Sequence, residues 1–246
     1  MKSQHTHSRC TSLSRASGMT TCFFPDPKEV PKPTDGLKGR KSLFLDLDET
    51  LINLPDDREY VYTRYGLQDI VATIQHLIQT GKINEVIIWT AASFSHMYSI
   101  YIMLSTRYRL NIKYCIYRAH DNFVEWNEKN PDITGRALGI ILDDNAHIMA
   151  LKARHLYISP FRYKRHLDDQ LTEYVLRIRN GRDSIEGIPS HVMEYVNQIM
   201  EGTNTAIATI MRYYTQEPAT LIQTHSRMNI NDLIMRFEQI KSIPFK

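Results

Sequence analysis

The chain has 246 residues, of which 42% are hydrophobic and 23% charged, a composition typical of globular proteins. No apolar stretch approaches the ~20 residues of a membrane-spanning helix, so the sequence predicts no membrane span. Three cysteines at wide spacing, Cys10, Cys22 and Cys115, form neither a metal-binding cluster nor an even disulfide framework. This pattern favours a reducing, intracellular location in the cytoplasm or the nucleus.

Residues 1–40 are predicted to form a disordered basic tail, because few of them could bury apolar surface. Residues 1–41 hold eight of the 30 Lys/Arg but only three of the 27 Asp/Glu, so they carry +5 and the remainder −2. Since the basic residues lie in the tail and not on a folded body, there is no signature of nucleic-acid binding. The Ser/Arg-rich first 25 residues weakly resemble a transit peptide, which leaves a mitochondrial location as an alternative.

Short apolar runs alternate with helical patterns from residue 42 onwards. The runs predict buried strands in SLFLDL, EVIIWT, KYCIY, LGIILDD and HLYIS. Helices are predicted in GLQDIVATIQHLIQTG, ending at Gly81, and in SFSHMYSIYIMLS, where His96 is interpreted as a surface residue and not a ligand. This alternation predicts an α/β fold with a doubly wound parallel sheet.

The C-terminal third reads as helical. The stretch DDQLTEYVLRIRNG predicts a helix that closes the domain against the sheet, and further separate helices are predicted in SHVMEYVNQIMEG, NTAIATIMRYYTQ and NINDLIMRFEQIKSI. No motif assigns these last helices a role, so docking of a partner and oligomerisation both stay open. The predicted divisions are a tail at 1–40, an α/β domain at 41–182 and a helical extension at 183–246.

Polar side chains stand where the predicted strands end. Asp46 and Asp48 follow the first strand, Thr90 ends the second, and Asp143 and Asp144 end a later one. Ionised carboxylates are costly to bury unless a metal or a substrate pairs with them. Because ligands of doubly wound sheets bind beyond the carboxyl ends of the strands, a site is predicted at this edge.

These residue types match what phosphoryl transfer through a covalent carboxyl intermediate requires. One carboxylate attacks phosphorus and a second acid handles the protons. Mg²⁺, which prefers oxygen ligands, reduces the repulsion between carboxylate and phosphate, while a hydroxyl and a fixed cation meet the phosphoryl oxygens. Lys129 is the only lysine between Lys113 and Lys152 and is therefore the candidate cation.

The motifs DLDETL, IWTAA and ILDDN, in this order, resemble those of the haloacid dehalogenase (HAD) superfamily, whose first motif is DxDx[TV]. With YRAH and LYISPF they resemble the FCP/SCP-like branch, phosphatases of the C-terminal domain of RNA polymerase II and related phosphoproteins. The likeness covers about residues 41–180. It implies an HAD-like Rossmannoid fold, Mg²⁺ as cofactor and a phosphoprotein substrate.

The resemblance also implies a role for each candidate residue. Asp46 would be the phosphorylated nucleophile and Asp48 the general acid and base. Thr90 and Lys129 would bind phosphate. The metal ligands would be Asp46, Asp48 through its carbonyl, and Asp144, with Asp143 in support.

The chain departs from the family pattern in two places. The family's Arg-Pro-Gly-Leu is RYGL here, at residues 64–67. The second departure concerns the family's phosphate-binding lysine. The segment DNFVEW resembles the family's segment before that lysine, and aligning the two would place Glu125 at the lysine position. Lys129 is preferred because the phosphate charge must be neutralised. In addition, the segment from Ile52 to Arg64 is short, which predicts a small flap and an open site. Such a site favours a phosphorylated residue on a macromolecule over a small metabolite that needs enclosure.

The sequence therefore predicts a Mg²⁺-dependent phosphatase of phosphoserine and phosphothreonine in proteins, working through an aspartyl-phosphate. One alternative is an HAD phosphatase of nucleotides, polynucleotide ends or small phosphate esters. Another is a non-catalytic adaptor of the same fold, against which the presence of both Asp46 and Asp48 argues.

Overall fold

Five parallel strands form the central sheet of the computed structural model, which describes residues 28, 39–54, 60–118, 129–145, 154–215 and 243–244. In chain order the elements are β1 (Ser42–Leu45), β2 (Ile52–Asn53), β3 (Tyr60–Thr63), α1 (Leu67–Gln79), β4 (Glu85–Trp89), α2 (Phe94–Thr106), β5 (Ile112–Ile116), β6 (Ile140–Asp143), β7 (His155–Tyr157), α3 (Arg165–Arg179), α4 (Ser190–Thr215) and β8 (Ile243–Pro244). The strand order β5-β4-β1-β6-β7 confirms the predicted parallel α/β sheet and its five strands.

The sheet is buried on both faces, which explains why its strands read as unbroken apolar runs. Neighbouring side chains on a strand point to opposite faces. On one face Leu43 and Leu45 join the main core with α1 and α2. On the other face Phe44 packs with Ile87 and Ile141 in a separate cluster.

Helix α1 confirms the predicted amphipathic pattern. Its buried side chains follow the 3.6-residue period, and it ends just before Gly81, whose φ of 68° lies in the left-handed region that glycine adopts without steric cost. The buried residues are Leu67, Ile70, Val71, Ile74 and Leu77.

The prediction of two helices within residues 190–215 is wrong, because α4 is one continuous helix of 26 residues. The first of the two predicted helices ended at Gly202, but this glycine lies inside α4 at a point of close approach. A Cβ added there would lie 2.1 Å from Oγ of Ser159 and 3.4 Å from Nη1 of Arg64. Despite the length of α4, no helix in the described ranges combines the length and apolarity that a bilayer crossing requires.

Helix α4 shares its core with the sheet domain. Ala206, Ile210 and Tyr214 belong to the main core, and the hydroxyl of Tyr214 donates to the carbonyl oxygen of Ser42 at 3.1 Å. The division at residue 183 stays a prediction. The helix predicted in NINDLIMRFEQIKSI lies outside the described residues except for Ile243, which is in β8.

Helix α3 packs against α4, in a cluster whose described members include no residue of the five-stranded sheet, so the prediction that it closes the domain against that sheet is wrong. Leu171 and Val175 of α3 form a second core cluster with Val192 and Val196 of α4. The reason is that α4 presents an apolar face to α3, whereas the prediction had assigned the residues of α4 to a separate helical extension.

The flap is a small antiparallel sheet with the order β2-β3-β8. It begins directly after the β1 loop, and residues 55–59 between its first two strands are outside the described part. Tyr62 of β3 stacks on Tyr163, with ring centroids 3.5 Å apart, and this contact joins the flap to the loop after β7.

Candidate functional site

The carboxyl ends of β1, β4 and β6 meet at a cleft of about 540 Å³. Because β1 lies between β4 and β6, the polar residues that end these strands come together. All six candidate residues predicted from the sequence line this cleft, namely Asp46, Asp48, Thr90, Lys129, Asp143 and Asp144. The other described residues that line it are Glu49, Ala91, Asn145, Tyr157, Pro160 and Arg162.

A buried ion cluster lies at the floor of the cleft. The Nζ atom of Lys129 lies 2.6 Å from Oδ1 of Asp46 and 2.5 Å from Oδ2 of Asp143. Lys129 is only 6% exposed, so it is not a solvated surface lysine. Glu125, the residue of the other register, lies outside the described residues.

Burial and the neighbouring charges set the protonation of this cluster. Burial raises the pKa of Asp46 to about 7; the charge of Lys129 opposes this shift and that of Asp143 adds to it. Burial alone would lower the pKa of Lys129, but the charges of Asp46 and Asp143 outweigh it and hold that pKa above its ordinary value. The lysine is therefore a fixed cation, and the carboxyl of Asp46 has a pKa near neutrality.

The side-chain oxygens of Asp46, Asp143 and Asp144 form a cluster within 4.8 Å that could hold a metal ion. Thr50, which was not singled out from the sequence, organises this cluster. Its Oγ1 donates to Oδ1 of Asp144 at 2.7 Å, accepts from the amide of Asp144 at 3.0 Å, and lies 3.3 Å from Oδ2 of Asp46. Thr50 occupies the last position of DxDx[TV], the signal that could have identified it.

Thr90 follows β4 and is 1% exposed, with its side chain on the cleft. Its Oγ1 accepts a hydrogen bond from the amide of Ala92 at 3.2 Å. This bond orients the hydroxyl at the start of the turn into α2.

The side chain of Asp48 contacts His96, which was predicted from the sequence to be a surface residue. His96 lies in the first turn of α2, is 7% exposed, and has Nε2 at 2.8 Å from Oδ1 of Asp48. The prediction of a surface histidine is therefore wrong. Because β4 neighbours β1 in the sheet, the beginning of α2 lies beside Asp48, a proximity that helical periodicity alone does not reveal.

Comparisons with known proteins identify the family. The family model described as NLI interacting factor-like phosphatase matches residues 41–184. The chain belongs to this phosphatase family. No curated protein matches the chain. A solved structure titled as Fcp1, an essential RNA polymerase II CTD phosphatase, is similar over 79% of this chain and 69% of that chain, with a TM-score of 0.40 and 13% identity.

The arginine of RYGL, which the family's Arg-Pro-Gly-Leu pattern shares, is buried behind the site in this phosphatase. Arg64 is 1% exposed; it donates from Nε to the carbonyl of Thr50 at 2.6 Å and from Nη2 to that of Glu49 at 3.0 Å, and Nη2 also donates to the carbonyl of Ser159. Burial lowers the pKa of Arg64 to about 10. Arg64 thus fixes the loop that carries the DxDxT motif and does not reach the cleft itself.

The raised pKa of Asp46 makes the stability of this phosphatase depend on pH. In metal-free buffer, folded Asp46 binds its proton more tightly than the unfolded chain, whose pKa is near 3.8. Its contribution to the free energy of unfolding is therefore complete below about pH 4 and is lost as pH rises through about 7. We expect the free energy of unfolding, measured with urea in the presence of a chelator, to fall by a few kcal/mol between about pH 4 and about pH 7. Asp46→Asn should abolish this part of the slope, and identical slopes for both proteins would contradict the assignment.

Proposed function

We propose that this phosphatase hydrolyses phosphoserine and phosphothreonine in proteins, with Mg²⁺ as cofactor and through an aspartyl-phosphate intermediate. The observation that carries the proposal is the buried Asp46 paired with Lys129 at the end of β1, inside an acidic cleft of a phosphatase family member. Asp46 is the nucleophile that attacks phosphorus. Lys129, already placed beside it, neutralises the phosphoryl oxygens.

The remaining polar groups have roles that follow from their positions. Asp48, on the rim of the cleft with a half-exposed side chain, gives a proton to the leaving oxygen and later takes one from the attacking water. The hydroxyl of Thr90 donates to a phosphoryl oxygen. Thr50 keeps the carboxyls of Asp46 and Asp144 in place through its hydrogen bonds.

The carboxylates fit a magnesium site. The clustered side chains of Asp46, Asp143 and Asp144 offer only oxygen atoms, the ligands that Mg²⁺ prefers. We propose Asp46, the backbone carbonyl of Asp48, and Asp144 as ligands, with Asp143 in support through its bond to Lys129. When bound, Mg²⁺ supplies the positive charge that reduces repulsion between the nucleophile and the phosphate.

The rim of the cleft supports a macromolecular substrate. Tyr157 is 50% exposed, the side chain of Arg162 is 74% exposed, and Pro160 lies between them in sequence. Among the described residues the flap contributes no side chain to the lining of the cleft. A phosphorylated side chain that protrudes from a protein could therefore enter while its backbone stays outside. An intracellular location, cytoplasmic or nuclear, would give access to such substrates.

An array of phosphopeptides, assayed with and without Mg²⁺, tests the proposal. We expect phosphate release from phosphoserine and phosphothreonine peptides that depends on Mg²⁺ and on the flanking sequence. Nucleotides and sugar phosphates serve as the comparison set in the same assay. Faster turnover of these small esters would contradict the substrate class, and peptide binding without phosphate release would favour the adaptor alternative.

A further inference from the structure

We propose that His96 is a positioning residue that aims the carboxyl of Asp48 for proton transfer. The inference deepens the proposed function and rests on it, since only a proton-transferring Asp48 needs an aimed carboxyl. Its geometric basis is the 2.8 Å contact between Nε2 of His96 and Oδ1 of Asp48. In the tautomer that carries hydrogen on Nε2, the ring donates to Oδ1, and Oδ2 is then the oxygen that bears the transferable proton.

The surroundings of Asp48 differ from those of the other cleft carboxylates. Asp46, Asp143 and Asp144 are tied to one another through Lys129 and Thr50. Among the described residues, the cluster of carboxylate oxygens that could hold a metal ion does not include the side chain of Asp48. A half-exposed carboxyl would rotate about its χ angles, so a buried donor is needed to select one orientation.

The position of His96 in the fold makes it a rigid donor. It lies in the first turn of α2, where its backbone amide donates to Oγ of the N-cap Ser93 at 3.4 Å. The side chain of His96 is 9% exposed, and helix α2 is anchored in the main core through Met97 and Ile100. The donor is therefore placed by a packed helix and not by a surface loop, which is the arrangement that keeps a proton-transfer group within tight geometric limits.

With its carboxyl oriented in this way, Asp48 gives up a proton in the first step of the reaction and regains one in the second. In the first, an oxygen of Asp46 bonds to phosphorus, the ester P–O bond breaks, and the proton on Oδ2 of Asp48 goes to the leaving oxygen. In the second, water bonds to phosphorus, the bond to Asp46 breaks, and Asp48 takes one proton from that water. Phosphate leaves and both side chains return to their starting states.

A pair of substrates matched in size tests the inference. The leaving oxygen of 4-nitrophenyl phosphate departs without a proton, whereas that of benzyl phosphate requires one. We expect His96→Phe to lower kcat/KM for benzyl phosphate at least about tenfold more than for 4-nitrophenyl phosphate. His96→Gln, whose amide nitrogen can reach the position of Nε2, should restore most of the benzyl phosphate activity, while the shorter His96→Asn should not.

The controls separate this role from a structural one. His166→Phe changes an exposed histidine on α3 and should leave both substrates unaffected. Thermal unfolding is measured for each variant, and the comparison of Gln with Asn decides the matter if the Phe variant does not fold. Equal losses on both substrates, or full activity of His96→Asn, would overturn the inference. Turnover that persists in Asp46→Asn would instead overturn the proposed mechanism itself.

Discussion

Asp46→Asn is expected to abolish the hydrolysis of an aryl phosphate, with kcat lowered by at least about a thousandfold, while the protein stays folded. An amide of the same shape cannot attack phosphorus, and it keeps the packing at the end of β1. In the wild-type protein, rapid quenching during turnover followed by borohydride reduction should convert phosphorylated Asp46 to homoserine. Mass spectrometry of the peptide that contains residue 46 would detect this product.

Asp132→Asn is the matched control for that variant. Asp132 is an exposed carboxylate outside the cleft, paired with Arg154 at 2.6 Å. The Asp132→Asn variant should have the wild-type kcat and the wild-type free energy of unfolding within experimental error. Turnover that survives in Asp46→Asn, or homoserine found at another aspartate, would refute the assignment of the nucleophile.

Lys129→Met is expected to remove both activity and a large part of the stability of the metal-free protein. The substitution leaves the carboxyls of Asp46 and Asp143 buried without their shared counterion. Loss of one partner from a buried ion pair costs about 3–5 kcal/mol of unfolding free energy. The pKa of Asp46, which the lysine now holds down, should rise further, so the loss should be smaller at low pH where that carboxyl is protonated.

Urea unfolding at several pH values in the presence of a chelator measures the loss of stability, and calorimetric titration with inorganic phosphate measures the affinity for phosphate, which needs no turnover. Lys82→Met is the control, because Lys82 is exposed and lies at the other end of the sheet, before β4 begins. A wild-type dissociation constant for phosphate in Lys129→Met would show that the lysine stabilises the fold and does not bind the substrate phosphate.

The strands and the acidic residues were predictable because both signals are local. A run such as SLFLDL indicates a buried strand and places Asp46 at its end, and parallel topology then brings Asp143 to the same edge. Lys129 was chosen because a cation is needed and because it is the only lysine between Lys113 and Lys152. The segments around it support two registers, since DNFVEW would place Glu125 at this position and TGRAL selects Lys129.

The helices and His96 were harder because their environments depend on contacts between distant segments. Gly202 reads as a helix break from propensity, yet the helix continues, and its missing side chain lets α4 approach Ser159 and Arg64. His96 reads as a polar residue on a helix surface. Only the pairing of β4 with β1 puts the start of α2 against Asp48, so no local period could have predicted that contact.

The charge on the walls of the cleft has a consequence for the order of events in a catalytic cycle. Within the part of the chain that the structure describes, five carboxyl groups line it against one lysine and one arginine. A doubly charged phosphate ester that approached before any cation would meet net repulsion, and Lys129 would still be occupied by Asp46 and Asp143. If Mg²⁺ is the cofactor, as proposed, we expect ordered addition, with the divalent ion binding first and the ester second. Ambient free magnesium would then set the fraction of molecules that can accept a substrate.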